Sequence, residues 1–253
     1  MAILEREITT RAYELDRFGR IPPAVLLRYL EHTRWEAGYD SETEMSGLFA
    51  GGRRMVVRAQ QLRMMRALGR AERLRVSLWL EGVGRTSMTM GQRVVLAEGG
   101  EEVAVGTVVG VSIDERGQPT ELGAAVRELT RPAGLSHARI DAGAAPAGAF
   151  QASTVVRYSD TDLLQHANHA RYADWVEDAR AAASAAGALG QAGPPRRARW
   201  LAVENLRECL VGDTVEMAVW RADDGAVRVD GRVGPGRELS FRAAVDDSLP
   251  GER

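Results

Sequence analysis

The strongest constraint on this chain is that it repeats itself. The run TRAYELDR at residues 10–17 is echoed by TVVRYSDTD at 154–162, and aligning Tyr13 with Tyr158 sets an offset of 145. Downstream, Gln61-Leu62-Arg63 resembles Asn205-Leu206-Arg207 at an offset of 144, and Gly69 and Gly212 follow at 143. A nearly constant offset across three landmarks implies duplication, and duplication implies two similar units rather than one large domain. The 253 residues suffice for two small units, each with its own core. Between them, TRPAGLSHARIDAGAAPAGAF at 130–150 is rich in Pro, Gly and Ala and holds no period, the composition of a connection. The expected division is a first unit over 1–132, a linker over 133–150 and a second unit over 151–248.

Each half has the same order of elements. A short strand (6–13, then 153–158) leads through a turn to an amphipathic helix (22–38, then 168–186). Strand-like runs follow at 54–63, 73–81, 84–98 and 102–114, and again at 199–208, 213–221, 226–234 and 237–246. These rest on alternation and β-branched content, as in Val76-Ser77-Leu78-Trp79-Leu80 and Val103-Ala104-Val105-Gly106-Thr107-Val108-Val109. In the second helix Tyr172, Trp175, Val176 and Ala179 recur at spacings of three and four and form one apolar stripe. One strand, one long helix and then an antiparallel meander around it is an α+β arrangement, not a doubly wound parallel sheet.

Composition excludes some functions. With 45% hydrophobic and 27% charged residues the chain is ordinarily globular, and a net charge of −2 points to neither nucleic acid nor an anionic membrane. Its one cysteine, Cys209, rules out an internal disulfide framework and fits a reducing compartment. Glu5 and Arg6 interrupt any apolar leader, and no run approaches the roughly 20 apolar residues of a membrane helix. A cytoplasmic protein is expected.

Chemistry concentrates in residues 157–180, RYSDTDLLQHANHARYADWVEDAR. Asp160, Asp162, His166 and His169 fall together at a helix start. The free N–H groups and positive dipole end there favour an anion or a developing oxyanion. A carboxylate and an imidazole at that point make an acid–base pair suited to acyl chemistry. The plainer reading, that the aspartates cap a turn and the histidines are solvated, stands beside it.

This segment resembles the signature of hotdog-fold thioesterases, in which Tyr-x-Asp-Thr-Asp precedes a helix carrying Tyr, Trp and Glu. Tyr158, Asp160, Thr161, Asp162, Tyr172, Trp175 and Glu177 supply those residues here. Asp162-Leu163-Leu164-Gln165-His166-Ala167-Asn168 is similar to the Asp-x-Asn-x-His-x-Asn stretch of plant and bacterial acyl-ACP thioesterases, and Leu206-Arg207-Glu208-Cys209 to their Arg-Glu-Cys strand. The resemblance implies two tandem hotdog units, each an antiparallel β-sheet wrapped around a long helix, with the site in the second. It implies hydrolysis of a fatty-acyl or related thioester on acyl carrier protein or coenzyme A, in fatty-acid biosynthesis, without cofactor or metal, by a monomer or homodimer.

By the same resemblance Asp162 is base or nucleophile, His166 orients water or shares its proton, and Glu208 is the second carboxylate. The N–H groups near Ala167 and Asn168 are the expected oxyanion site, and Leu164 and Tyr172 expected substrate contacts. The departure is Leu164, where the family has asparagine; leucine neither donates nor accepts. It leaves room for coenzyme A, aryl or polyketide thioesters, or for an acyl-binding protein without turnover. At the offsets above, the first half carries Arg17, Ile21 and Met64 opposite Asp162, His166 and Glu208, so it is expected to shape substrate rather than catalyse.

Other residues attract weaker readings. Cys209 neighbours Glu208, but side chains alternate along a strand, so a site-facing Glu208 turns Cys209 away. His169 reads as a surface or supporting residue, and too few ligands accompany Asp162, His166 and His169 for zinc. Glu31 and His32 read as a solvated pair. Met45, Met55, Met64, Met65, Met88 and Met90 suit either core packing or an adaptable acyl tunnel. The arginines at 63, 66, 70, 73 and 75, and at 196, 197 and 199, are either solvated faces or a surface for an acidic carrier or a phosphate.

Overall fold

The computed structural model describes residues 4–39, 45, 54–140, 143–190 and 192–249. The chain divides into two compact units, Met1–Ala138 and Arg139–Arg253.

In the first unit, β1 (Leu4–Thr9) precedes a 3-10 turn (Ala12–Glu14) and α1 (Pro23–Tyr39); β2 (Arg54–Met64), β3 (Arg73–Val83), β4 (Ser87–Leu96), β5 (Glu102–Ile113) and a short α2 (Ala124–Glu128) follow. The strands lie in the order β1-β3-β4-β5-β2, each pair antiparallel. Proline at the first helical position of α1 loses no intrahelical bond there and presets φ. Leu78, Leu80, Met88, Met90 and Val108 from the sheet meet Ala37 of α1, Met45, and Leu122 and Val126 at the α2 end. Three methionines are thus buried in one core cluster, and Met55 packs against it. Arg34 enters this interior by donating to Gln92 Oε1 at 2.7 Å, while Gln92 Nε2 donates to Leu30 O at 2.7 Å.

The second unit repeats the plan: β6 (Phe150–Val155), a 3-10 turn (Tyr158–Asp160), α3 (His169–Ala185), β7 (Trp200–Asn205), β8 (Thr214–Arg221), β9 (Val227–Val233) and β10 (Glu238–Asp246). Its order is β7-β10-β9-β8-β6, again antiparallel. The apolar stripe of α3 (Ala170, Tyr172, Ala173, Trp175, Val176, Ala179 and Ala183) is buried, as the spacing predicts. The small alanines let α3 approach β6, β7 and β8 closely. Arg180 is buried too, tolerated because its guanidinium forks onto Glu177 at 3.1 and 2.8 Å and donates to Arg196 O at 2.9 Å. Gly187, at φ 74°, ends the helix in the left-handed conformation that costs glycine least.

One close approach organises the floor of the second sheet. Gly231 pairs with Phe241 across β9 and β10, and a Cβ at 231 would fall inside the Phe241 ring. The ring lies over the glycine and meets Tyr172 edge-on, centroids 5.1 Å apart.

The strand and helix boundaries agree with the sequence reading to within a few residues, with one consequential exception. The run expected as strand over 199–208 ends at Asn205, so Glu208 and Cys209 lie on an irregular segment rather than in the sheet.

Candidate active site

The site grows out of a small closed loop. After the 3-10 turn, Asp160 Oδ2 accepts from Arg157 N at 2.8 Å, Asp160 O accepts from Asn168 N at 2.8 Å, and Arg171 Nε lies 3.5 Å from Asp160 Oδ1. Asp160 is buried. It is the brace that holds the loop onto the start of α3, as the capping reading expected for one of the two aspartates.

Asp162 then makes a tight Asx turn. Its Oδ1 accepts from Leu164 N at 2.8 Å, its carbonyl accepts from Gln165 N at 3.0 Å, and its own N–H donates to His166 O at 3.0 Å. Gln165 pays the steric cost of closure with φ 65°. Beyond the turn, Thr161 bridges to Ala167 and His166 to Leu210, while Ala167 N donates to Cys209 O at 2.8 Å. That stitching sets the 206–211 segment beside the loop and leaves His166 Nε2 2.9 Å from Glu208 Oε2. Both side chains are well exposed, 34% and 53%, so their attraction alone contributes at most about 1 kcal/mol. The backbone stitching fixes the pair. The contact leaves Nδ1 as the ring nitrogen turned away from the carboxylate.

Three sequence expectations need correction. The Ala167 and Asn168 N–H groups are not an oxyanion site: they donate to Cys209 O and Asp160 O, each at 2.8 Å. The Asn168 side chain accepts from Ala170 N at 2.8 Å, so this residue is the N-cap of α3. Tyr172 is not a substrate contact either, being 3% exposed. It lies between Trp175 and Phe241, and its hydroxyl joins Cys209 and Ser240; burial raises its pKa above the ordinary phenol value. Leu164 is half-buried, its N–H held by Asp162.

Cys209 has the structure of a packing residue. It is fully buried, with Sγ 2.9 Å from Ser240 Oγ, which itself donates to Arg207 O at 2.7 Å. Burial pushes the thiol pKa up, away from a reactive thiolate. Glu208 is exposed and Cys209 buried, so the two do face opposite ways, although no strand imposes it.

The first unit builds the same loop, and this resets the internal comparison. Phe18 N donates to Asp16 Oδ1 at 2.8 Å, Gly19 N to Asp16 O at 2.9 Å, Asp16 N to Arg20 O at 2.7 Å, and Ile21 N to Leu68 O at 2.9 Å. Bond for bond, Asp16 matches Asp162, Arg20 matches His166 and Ala67 matches Glu208, not Arg17, Ile21 and Met64. The true offset is 146 up to β2 and β7 and 141 beyond. β2 has 11 residues and β7 has 6, which accounts for the step. The Asx-turn aspartate is therefore common to both units, and the His–Glu pair belongs to the second alone.

The arginine runs are partly neutralised. Arg66 pairs with Glu72 and Glu101, Arg73 with Glu7, and Arg196 with Asp247. His32 lies 3.3 Å from Glu36, and Glu31 accepts from Trp35 at 3.2 Å. Among the described residues no helix is long and apolar enough to cross a membrane, and no group of three or more His, Cys, Asp or Glu side chains is placed to hold a metal.

Comparison with known proteins bears on the fold and the family models. The sequence model of the thioesterase-like superfamily matches residues 10–130, and that of the acyl-ACP thioesterase C-terminal domain matches residues 144–225. Each half thus matches a thioesterase model, and the chain has the tandem hotdog fold. Solved structures of similar fold include an acyl-ACP thioesterase from Bacteroides thetaiotaomicron, at 18% identity, 96% coverage of both chains and a TM-score of 0.79. Another is the 12:0-ACP thioesterase from Umbellularia californica, at 14% identity, 96% coverage of both and 0.78. A comparison with curated protein sequences found no match. For this thioesterase, the matched C-terminal domain is the half that carries the His166–Glu208 pair.

Proposed function

We propose that this thioesterase releases a free acid from an acyl group carried on acyl carrier protein, using His166 and Glu208 as its acid–base pair. The observation that carries the reading is the 2.9 Å contact between them, in the unit matched by the acyl-ACP thioesterase domain and replaced by Arg20 and Ala67 in the other. His166 Nδ1 takes a proton from water as its oxygen adds to the thioester carbonyl carbon, giving a tetrahedral oxyanion and an imidazolium stabilised by Glu208. The C–S bond then breaks, and the imidazolium returns the proton to the departing thiolate, so acid and thiol leave together. Asp162 shapes the turn by accepting from Leu164 N–H, and its carboxylate is the further acidic group of the proposed site. The positive end of α3 favours the developing charge. A cytoplasmic place in fatty-acid biosynthesis follows from this substrate.

The test is release of free thiol from one acyl group on acyl carrier protein and on coenzyme A. Turnover preferring the carrier protein supports the reading, and turnover confined to coenzyme A moves the substrate to acyl- or aryl-CoA. Binding without turnover on either would make the protein a non-hydrolytic acyl-binding protein, with Leu164 in place of the family's asparagine as the first suspect.

A further inference from the structure

Three polar side chains are packed together beside the Glu208 segment, and the proposed chemistry uses none of them. Tyr172, Cys209 and Ser240 are all buried. Cys209 Sγ lies 2.9 Å from Ser240 Oγ, the Tyr172 hydroxyl joins both, and Ser240 Oγ donates to Arg207 O at 2.7 Å. A serine hydroxyl has one proton. With that proton on Arg207 O, the thiol donates to Ser240 Oγ. Ser240 also holds the same segment through its backbone, its carbonyl accepting from Leu206 N at 2.7 Å and from Arg207 N at 3.0 Å. It can do so because it is the extra residue of a β-bulge. Leu239 and Phe241 face the consecutive partners Arg232 and Gly231 across β9 and β10, and Ser240 is left over between them. A bulge turns its residue out of the ladder, and this one turns Ser240 onto the two residues that precede Glu208.

The first unit has the same bulge and an apolar set in place of the polar one. Glu102 and Ala104 face the consecutive residues Val95 and Val94, which leaves over Val103, and Met65 N donates to Val103 O at 2.9 Å as Leu206 N does to Ser240 O. Arg66 pairs with Glu101 as Arg207 pairs with Glu238. At the positions of Tyr172, Cys209 and Ser240 stand Leu26, Leu68 and Val103, all buried. Packing of this template is therefore met by three apolar side chains, and burying polar ones costs free energy unless each is bonded. The polar set is found where the His–Glu pair is found. The carbonyl it grips belongs to the peptide bond that joins Arg207 to Glu208.

We propose that Ser240 is a positioning residue for Glu208, a role that rests on the His166–Glu208 reading above. Its hydroxyl, backed by Tyr172 and Cys209, fixes the Arg207–Glu208 peptide so that the carboxylate stays within reach of His166. The need for such a support follows from exposure. Both members of the pair are well exposed, and an exposed ion pair does not hold its own geometry. On the far side of Glu208, Cys209 O accepts from Ala167 N, a carbonyl that any residue would offer. The decisive side chain is thus the Ser240 hydroxyl and not the thiol.

The experiment compares Ser240→Thr with Ser240→Val in the full chain, two side chains of one shape of which only the first keeps a hydroxyl. Ser240→Ala is added as the variant that cannot overpack. Each is made in the parent and in Glu208→Gln. Thiol release from an acyl carrier protein or coenzyme A thioester is measured beside amide hydrogen exchange of residues 206–209. The expected result is a kcat lower by about tenfold in Ser240→Val and Ser240→Ala, with KM within about twofold and kcat restored toward the parent in Ser240→Thr. Loss of the hydroxyl should quicken exchange at 206–207 by about five- to tenfold. In the Glu208→Gln background the same substitutions should lower kcat by less than about twofold, because a residue that acts through Glu208 then has nothing left to place. Equal falls in both backgrounds, or parental kcat in Ser240→Ala, would overturn the positioning role. Full parental activity in Glu208→Gln alone removes the underlying reading, and shows this without any change at Ser240; the positioning role falls with it.

Discussion

Asp162 and its counterpart Asp16 allow the structural and chemical parts of the site to be separated. Each accepts a backbone N–H at 2.8 Å, from Leu164 and Phe18 respectively, and Asp16 accepts a second from Arg20 N at 3.0 Å. Asparagine keeps the accepting oxygen and removes the charge; alanine removes both. Asp162→Ala should cost about 1 kcal/mol for the lost turn bond, a drop of a few degrees in Tm. Asp16→Ala should cost somewhat more, about 1–2 kcal/mol, because it also loses the Arg20 N–H bond and the ion pair at 3.7 Å. Both asparagine variants should stay within about 0.5 kcal/mol of the parent. Activity should divide differently. Asp162→Asn removes the carboxylate proposed to serve the reaction and should lower kcat/KM by roughly 10²–10⁴, whereas Asp16→Asn and Asp16→Ala should leave it intact. Calorimetric melting and thiol release, run on all four variants, read the two effects independently. Parental activity in Asp162→Asn would refute a chemical role and leave Asp162 as a turn residue. Equal losses in Asp16→Asn and Asp162→Asn would refute the assignment of chemistry to the second unit alone.

Two further outcomes follow from the packing. The buried Cys209 thiol, its pKa raised by burial, should resist iodoacetamide in the native protein near neutral pH and react once denatured, as followed by mass spectrometry, and Cys209→Ala should keep thioesterase activity. Gly231→Ala should destabilise by about 1–3 kcal/mol, because its Cβ has no place but the Phe241 ring; a melting temperature equal to the parent's would show that the ring moves aside at no cost.

Much of the architecture was legible because its signals are local. Alternation in β3 and β5 and the three-and-four spacing in α3 are written residue by residue, so the strands and helices fall close to where the sequence puts them. That Asp162 and His166 stand on the loop before α3 was legible in the sequence, whereas the 2.9 Å contact of His166 with Glu208 comes from tertiary stitching. The repeat register was not. Landmarks at 145, 144 and 143 smooth over a single five-residue step, and only the matching hydrogen bonds of the two loops reveal that Asp16, not Arg17, stands opposite Asp162. The fate of the Ala167 and Asn168 N–H groups was equally hidden. It depends on Cys209 O, 42 residues along the chain from Ala167, and on the Asp160 carbonyl folding back. Tyr172 has the right spacing for either the site or the core, and its depth beneath Phe241 is a tertiary fact.

The central claim is that thioester hydrolysis runs through the His166–Glu208 pair. The most direct measurement is single-turnover thiol release from an acyl carrier protein thioester by His166→Ala and Glu208→Gln, alone and combined, with melting curves to establish folding. Groups acting as one unit give non-additive losses. The account predicts a fall of roughly 10²–10⁴ for His166→Ala, a smaller fall for Glu208→Gln, and a double variant no worse than His166→Ala. Full activity in His166→Ala, or losses that multiply independently, would contradict it.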